Sequence, residues 1–345
     1  MSKEKLNNIN IVSRNVLPTP EEVISKFPIS DQSAETVLTA RKSIENILDG
    51  KDSRVFIVVG PCSIHDEKLA LEYAEKLKGL ADKVSDKIVL VMRTYFEKPR
   101  TTVGWKGFIN DPYLNGSFNI KEGIEKARKL LVNINDIGVP VATEALDPII
   151  PQYMDDLLTW AAIGARTVES QTHREMASGL SSPVGFKNTT GGNVNLVINA
   201  IKSSLGAHRF LGINKEGQCS VFETKGNPYT HVVLRGGKKP NYDSESVKAC
   251  EELLAKAELP LSIMVDCSHG NSNKDYRNQP LVLEDCINQI VNGNKSIKSF
   301  MIESNINEGN QSSSSKDLKY GVSITDSCIN WETTDRIIQE AASKL

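Results

Sequence analysis

Eight short apolar segments, each followed by a stretch with helical spacing, constrain the fold of this chain more than any other feature. The predicted strands cover residues 54–60, 88–94, 139–145, 165–170, 184–187, 231–235, 262–267 and 299–302. The predicted helices cover residues 66–81, 121–137, 148–163, 172–179, 194–205, 244–257, 281–291 and 331–344. The strands are apolar on both faces, as buried parallel strands are. Alternating βα units in this number predict an α/β protein with a (β/α)8 TIM barrel rather than an open sheet.

Two segments do not follow this alternation. Residues 1–50 are predicted to form an N-terminal extension that makes oligomer and regulatory contacts. One helix in it starts at Thr19-Pro20, and a second runs from Ser30 or Asp31 to about residue 48. Residues 51–345 form the predicted catalytic barrel. Two short alternating runs around Glu216-Gly217 predict a regulatory β-hairpin inserted at about residues 208–229.

The predicted strands carry one group of side chains that suits a metal ion. In a barrel of this kind the active site lies at the C-terminal ends of the strands. Cys62 ends the first strand, His269 follows the seventh, and Glu303 and Asp326 follow the eighth. One thiolate, one imidazole and two carboxylates suit a divalent transition metal such as Mn, Fe, Co or Zn. The alternative is that Cys62 is a small buried hydrophobe and His269 a core residue with satisfied hydrogen bonds, since no local metal motif links the four.

A second group at the same predicted ends is cationic. It consists of Arg93, Lys98, Arg100, Arg166, Lys187 and Arg235. Arginine forks and lysine charges suit one or two anionic substrates that carry phosphate and carboxylate groups. The alternative is that half of these cations form rim salt bridges with Glu144, Glu169 and Asp147.

The charge balance makes any anion site local. The chain has 41 basic and 43 acidic residues and a net charge of −2, which argues against nucleic acid and membrane surfaces as partners. No apolar run approaches the roughly 20 residues of a membrane span, and the first residues are too polar for a signal peptide. The six cysteines are widely scattered, which predicts free thiols and a cytoplasmic location.

Six long motifs, in this order along the chain, closely resemble class I DAHP synthases (3-deoxy-D-arabino-heptulosonate-7-phosphate synthases). They are 60–66 (GPCSIHD), 98–107 (KPRTTVGWKG), 163–171 (IGARTVESQ), 185–188 (GFKN), 234–237 (LRGG) and 265–272 (VDCSHGNS). The resemblance extends over essentially the whole chain. It implies a (β/α)8 barrel and the first step of the shikimate pathway, in which phosphoenolpyruvate, erythrose 4-phosphate and water give the heptulosonate phosphate and inorganic phosphate.

The resemblance also implies roles for the two groups of side chains. Cys62, His269, Glu303 and Asp326 match the family's ligands for one divalent metal ion. Arg93, Arg166, Lys187 and Arg235 match its phosphoenolpyruvate site. Lys98 lies between the two substrates, and with Cys62 and His269 it is an expected catalytic residue. Arg100 and Thr101 match the aldose phosphate site, and Glu144 is expected to help orient the water.

Regulation by an aromatic amino acid is a further implication of the resemblance. The matching positions are Asn8, Asp147, Pro151, Ser181, Phe210, Gly212 and Phe222. The chain is most similar to the tyrosine-inhibited members, and Gly212 is expected to leave room for the para-hydroxyl. A homodimer or homotetramer is expected. Two alternatives remain open, namely a synthase that uses another sugar phosphate and a non-catalytic relative that senses amino acids.

Overall fold

A computed structural model describes residues 6–315 and 317–345 of the chain. Its ten strands are β1 Val55–Gly60, β2 Ile88–Arg93, β3 Val141–Glu144, β4 Trp160–Ile163, β5 Val184–Lys187, β6 Arg209–Ile213, β7 Cys219–Glu223, β8 Thr230–Leu234, β9 Ile263–Asp266 and β10 Ile297–Glu303. Its helices are α1 Pro20–Lys26, α2 Asp31–Leu48, α3 Glu67–Val84, α4 Ile120–Asp136, α5 Pro151–Met154, α6 Gln171–Gly179, α7 Asn195–Leu205, α8 Ser244–Lys256, α9 Gln279–Val291 and α10 Trp331–Lys344. Two short 3-10 helices cover Asp155–Leu157 and Tyr276–Asn278.

Eight of the strands close into a parallel barrel, which confirms the predicted fold class. The order around it is β1-β2-β3-β4-β5-β8-β9-β10, and β10 pairs with β1. Nearly every residue of these eight strands is buried, which agrees with the predicted two-sided apolar pattern. Because all strands run in one direction, the residues at their C-terminal ends meet on one rim.

The fourth strand corrects the sequence prediction. We predicted a helix over 148–163 and a strand over 165–170, but β4 is Trp160–Ile163 and pairs with β3 and β5. Its short Trp-Ala-Ala-Ile sequence is compatible with a buried helix as well as with a buried strand, and only the neighbouring strands decide between them. The backbone of residues 165–169 forms turns. Arg166 and Glu169 therefore lie in the loop after β4 and not within a strand.

The N-terminal helices start where the sequence predicts. The Thr19 hydroxyl accepts from the Glu22 N–H in a capping box before α1, and the Ser30 hydroxyl caps α2. The last turns of α2 place Ile44, Ile47 and Leu48 against side chains of the barrel interior. Part of the extension thus contributes to the barrel core.

Strands β6 and β7 pair in antiparallel fashion as a separate two-stranded sheet, which is the hairpin expected from the sequence. Within residues 6–315 and 317–345, we find no helix with the length and apolar character that a membrane crossing requires.

Candidate active site

A cavity of about 460 Å³ opens at the C-terminal rim of the barrel. Its lining includes Arg166, Arg235, His269 and Asp326, which come from loops after β4, β8, β9 and β10. Side chains that are far apart in sequence therefore meet at one opening, as the strand-end argument predicted.

Three of the four predicted metal ligands lie together at this rim. One ligand atom each of Cys62, Glu303 and Asp326 lies within 4.8 Å of the other two. The fourth, His269, places Nε2 3.8 Å from Glu303 Oε1 and 3.8 Å from Asp326 Oδ2. Cys62 and Glu303 are buried, whereas Asp326 is exposed. Thiolate, imidazole and carboxylate donors in one group fit a divalent transition metal ion.

Local backbone geometry brings two of these ligands to the rim. Cys62 follows Gly60, whose φ of +149° lies outside the range that L side chains readily adopt, and a Cβ there would lie 3.1 Å from the Arg93 nitrogen. His269 itself has a φ of +55° in the turn after β9. A residue other than glycine is uncommon in this left-handed region, although histidine is found there more often than most residues.

Burial and neighbouring charges set the protonation of this group. Burial, together with the Glu303 charge, raises the pKa of the Cys62 thiol to about 11. Burial alone would raise the pKa of Glu303, but His269, Arg93 and Lys98 outweigh it and lower the pKa to about 2. Cys62 must therefore lose a proton when a metal ion binds, while Glu303 is already ionised.

Lys98 lies beside the thiol. Its Nζ donates to the Cys62 carbonyl at 2.9 Å and lies 3.2 Å from Cys62 Sγ. Burial would lower the pKa of Lys98, but Cys62 and Glu303 outweigh it and raise the pKa. The ammonium group therefore stays charged at the edge of the metal ligands.

The Arg93 guanidinium is buried and already holds several partners. It donates to the Pro61 and Cys62 carbonyls at 3.2 and 3.3 Å and to Glu303 Oε1 at 3.0 Å, and it contacts Met301 Sδ at 2.8 Å. The guanidinium carbon lies 3.9 Å from the centre of the Tyr95 ring. Of its five N–H groups, one on Nη1 has no partner among the described residues. The others hold Glu303 and the loop that carries Cys62.

A second buried ion pair joins the cationic group to the metal ligands. Lys187 Nζ and His269 Nδ1 each lie 2.9 Å from Asp266 Oδ2, although the His269 contact is poorly aligned for a hydrogen bond. Burial would raise the pKa of Asp266, but His269 and Lys187 outweigh it and hold the pKa well below its usual value. Ser268 Oγ donates to Glu303 Oε2 at 2.8 Å. The site is thus one connected network of charges.

The rim salt bridges of the alternative interpretation are not formed among the residues that the structure describes. Arg93 pairs with Glu303 and Lys187 with Asp266, not with Glu144, Glu169 or Asp147. Arg166 and Arg235 line the cavity instead. Sequence reasoning missed Lys238 and Lys274, which also line it. They lie on loops beyond the strand ends, and their positions just after the 234–237 and 265–272 motifs could have indicated both.

Two of the eight predicted substrate-binding residues, Arg166 and Arg235, line this cavity. Arg93, Lys98 and Lys187 instead contact Glu303, Cys62 and Asp266, and the other three do not line the cavity. Arg100 and Thr101 are exposed and do not line it, and Arg100 Nε donates to the Trp105 carbonyl at 2.7 Å. Glu144 is buried, and its Oε1 has no hydrogen-bond partner among the described residues. It lines a small, mainly apolar cavity together with Glu97, Pro151 and Leu180.

A larger cavity, of about 560 Å³, lies between the hairpin and the loops that follow β3 and α6. Four of the predicted regulatory residues line it, namely Pro151, Ser181, Phe210 and Phe222. The two phenylalanine rings stack with their centroids 5.8 Å apart. Asp155 was missed by sequence reasoning; it also lines the cavity and accepts from Ser181 Oγ at 2.6 Å.

The other three predicted regulatory residues do not line this cavity. Asp147 and Asn8 are exposed. Gly212 is covered by Phe222, because a Cβ at Gly212 would lie 2.9 Å from Phe222 Cε2. The space next to Gly212 is therefore taken by an aromatic ring in this structure.

Comparison with known proteins gives a consistent result. A sequence model of the DAHP synthetase I family matches residues 26–339. The chain is 57% identical over 342 residues to the Tyr-sensitive phospho-2-dehydro-3-deoxyheptonate aldolase of Escherichia coli K12, which covers 99% of this chain and 96% of the relative. It is 51% identical to the Phe-sensitive enzyme of the same strain, over 96% of this chain and 94% of the relative.

A solved structure agrees. The phospho-2-dehydro-3-deoxyheptonate aldolase of Francisella tularensis SCHU S4 is 50% identical to the chain and superimposes with a TM-score of 0.95. The match covers 97% of this chain and 98% of that one.

Proposed function

The chain belongs to the DAHP synthetase I family, and we propose that it condenses phosphoenolpyruvate with D-erythrose 4-phosphate and water. The products are 3-deoxy-D-arabino-heptulosonate 7-phosphate and inorganic phosphate. The observation that carries this proposal is the meeting of Cys62, Glu303 and Asp326 within 4.8 Å, beside a cavity lined by arginine and lysine.

One divalent metal ion, Mn, Fe, Co or Zn, is proposed as cofactor. Cys62, His269, Glu303 and Asp326 would hold it, because their donors together suit a borderline-soft cation. When bound, the ion acts as a Lewis acid that polarises the aldehyde carbonyl of the sugar phosphate. The negative charge of Asp266, 2.9 Å from His269 Nδ1, favours the ring orientation in which Nε2 faces the carboxylate ligands.

The cations of the rim have two proposed tasks. Lys187, Arg166 and Arg235 bind the carboxylate and phosphate of phosphoenolpyruvate, while Arg93 supplies its remaining N–H. These cations neutralise the charges of the two substrates. They thereby hold C3 of phosphoenolpyruvate against the aldehyde carbon of erythrose 4-phosphate, so that a C–C bond can form. Lys98 stays protonated beside Cys62, where it can stabilise the negative charge that grows on the aldehyde oxygen.

The remaining steps need a water molecule. The C2–C3 π electrons form the new C–C bond and leave C2 electron-deficient, and the water oxygen adds to C2. One water proton goes to the former aldehyde oxygen and the other to the departing phosphate, so breaking the C2–O bond gives a ketone at C2 and inorganic phosphate that keeps the bridging oxygen. We propose that Glu144 helps to orient this water; unchanged turnover in Glu144→Gln would remove that role. Arg100 and Thr101 are proposed to bind the phosphate of erythrose 4-phosphate. The family resemblance alone supports that assignment, because neither side chain lines the cavity.

We further propose feedback inhibition by an aromatic amino acid at the larger cavity, with tyrosine favoured. The support is the stacked pair Phe210 and Phe222 beside Ser181, and the higher identity to the Tyr-sensitive relative than to the Phe-sensitive one. Asp147, Pro151, Gly212 and Asn8 complete the proposed regulatory set. Since Phe222 covers Gly212, room for a para-hydroxyl at that glycine requires the ring to move.

A homodimer or homotetramer is proposed as the working form. The support is the N-terminal segment, where Leu6, Ile9, Val12 and Val16 are exposed. Several exposed apolar side chains on one segment favour a protein partner.

The test is phosphate release from phosphoenolpyruvate plus erythrose 4-phosphate, with Mn²⁺ and with a chelator. Each aromatic amino acid is added in turn, and arabinose 5-phosphate replaces erythrose 4-phosphate as a substrate control. The proposal predicts release with erythrose 4-phosphate, loss with the chelator and the strongest suppression by tyrosine. Phosphate release with arabinose 5-phosphate but not with erythrose 4-phosphate would indicate a different synthase. No release with any divalent metal would favour a non-catalytic relative.

A further inference from the structure

Three loops of the rim touch one another through their backbones. They follow β5, β8 and β9 and carry glycines at the contacts. A Cβ at Gly237 would lie 2.5 Å from the Gly192 Cα, and a Cβ at Gly270 would lie 2.7 Å from the Gly237 nitrogen. Contacts this short leave no room for a side chain at these positions. The close approach of the three loops therefore depends on the glycines.

Three asparagine side chains fasten the same loops together. Asn188 lies directly after Lys187 and is fully buried. Its Oδ1 accepts from the backbone N–H of Arg235 at 2.8 Å and from Asn241 Nδ2 at 3.2 Å. Its Nδ2 donates to the carbonyls of Gly236 and Thr189 at 2.8 and 2.9 Å. This one amide therefore joins the loop after β5 to the loop after β8.

Asn241 and Asn271 extend the connection to the third loop. Asn241 Oδ1 accepts from the Gly236 N–H at 2.7 Å, and the Asn241 N–H donates to Asn271 Oδ1 at 2.8 Å. Asn271 Nδ2 donates to the carbonyls of Leu234 and Asp266 at 3.0 and 2.9 Å. We refer to Asn188, Asn241 and Asn271 as the amide network.

The network holds backbone atoms next to the charged groups of the site. It binds the Arg235 nitrogen and the Asp266 carbonyl, while Lys187 precedes Asn188 in the chain. Every side-chain nitrogen and oxygen of the three asparagines bonds to another asparagine of the network or to the backbone. None of them bonds to a charged side chain of the cavity. An amide is suited to this task because it donates and accepts at once, which neither Asp nor Leu can do at the same positions.

We propose that Asn188, Asn241 and Asn271 are positioning residues that set the spacing between Lys187, Arg235 and the loop of His269 for phosphoenolpyruvate. This inference rests on the proposed function. Lys187 and Arg235 sit on separate strands, and one small anion must meet both. Loss of an amide leaves buried donors or acceptors unpaired and lets the loops shift. A shift of about 1 Å in a binding group can cost on the order of a hundredfold in rate.

The test compares Asn188→Ala and Asn241→Ala with Asn135→Ala. Asn135 is a matched control, because it is equally buried and donates to the Leu157 carbonyl at 3.0 Å, on α4 and away from the cavity. We would measure the affinity for phosphoenolpyruvate without the second substrate, by titration calorimetry, and then the KM of each substrate. Asn241 is only half-buried, so its variant remains informative if Asn188→Ala does not fold.

The two network variants are expected to bind phosphoenolpyruvate about 10- to 100-fold more weakly, as loss of supporting hydrogen bonds does at metal sites. The KM for erythrose 4-phosphate and the properties of Asn135→Ala should change little apart from thermal stability. Equal phosphoenolpyruvate affinity in wild type and network variants would overturn the inference and leave the proposed function standing. Equal losses in Asn135→Ala would also overturn it, since the effect would then be general destabilisation. If the wild type binds no phosphoenolpyruvate, the proposed function and the inference fail together.

Discussion

Replacing Asp266 by Asn is expected to destabilise the fold strongly. The side chain is fully buried, and one of its oxygens lies 2.9 Å from both Lys187 Nζ and His269 Nδ1. Asparagine keeps the shape but removes the charge. Lys187, whose side chain is 6% exposed, would then be a buried ammonium without a counter-ion. Loss of one partner of a buried pair costs about 3–5 kcal/mol.

A double-mutant cycle separates this charge effect from loss of packing. We expect Asp266→Asn and Lys187→Met each to lower the free energy of unfolding by about 3–5 kcal/mol. The double variant should be less destabilised than the sum, by roughly 1–3 kcal/mol, because no uncompensated charge remains. The exposed pair of Arg336 and Glu340 provides a control, and Glu340→Gln should leave stability unchanged within error.

The assay is equilibrium denaturation in guanidinium chloride at pH 7.5 with a chelator present, followed by fluorescence, after refolding has been verified. A loss below about 1 kcal/mol in Asp266→Asn would refute the reasoning, since that is the range of exposed pairs. Strict additivity in the double variant would refute it as well, because the two charges would then not depend on each other.

Three further predictions concern protonation, metal and regulation. Burial, Asp147 and Glu144 raise the pKa of Glu97 to about 8. The contribution of Glu97 to the free energy of unfolding is therefore fully present below about pH 4.5 and is lost as the pH rises through 8. Glu97→Gln should therefore lose less thermal stability than wild type between pH 6 and 9. The difference is at most about 1.4 kcal/mol for each unit of pKa shift, and parallel curves of melting temperature against pH for the two proteins would contradict this. Cys62→Ser should bind Zn²⁺ at least about tenfold more weakly in equilibrium dialysis, and equal affinity would show that the thiol is not a ligand. Phe222→Ala should weaken inhibition by tyrosine roughly tenfold, as loss of an aromatic contact does; an unchanged inhibition constant in the phosphate-release assay would exclude the stacked pair from the effector site.

Residues at the ends of strands could be located from the sequence. Arg93, Glu144, Lys187 and Glu303 each close a strand of the barrel, and an apolar run that stops at a charged residue marks such an end. The alternation of short apolar runs with segments of helical spacing was enough to count the strands of the barrel. It was not enough for β4, because Trp160–Ile163 is too short and too rich in alanine to be told from a helix without its neighbours.

Contacts between distant residues could not be predicted. The Asp266 contact to Lys187 joins β9 to β5, and no local pattern encodes it. The same holds for the amide network, whose bonds run between three loops. Gly212 shows a further limit: the sequence indicates that space exists next to a glycine, but the fold decides that Phe222 occupies it.

The central claim is that one metal ion and phosphoenolpyruvate share the rim of the barrel. The most direct measurement is a crystal structure of the wild-type protein with Mn²⁺ and phosphoenolpyruvate, with anomalous data that locate the metal. We predict one anomalous peak within bonding distance of Cys62 Sγ, His269 Nε2, Glu303 and Asp326, and phosphoenolpyruvate in contact with Lys187, Arg166 and Arg235. A peak elsewhere, or phosphoenolpyruvate bound away from these cations, would contradict the account.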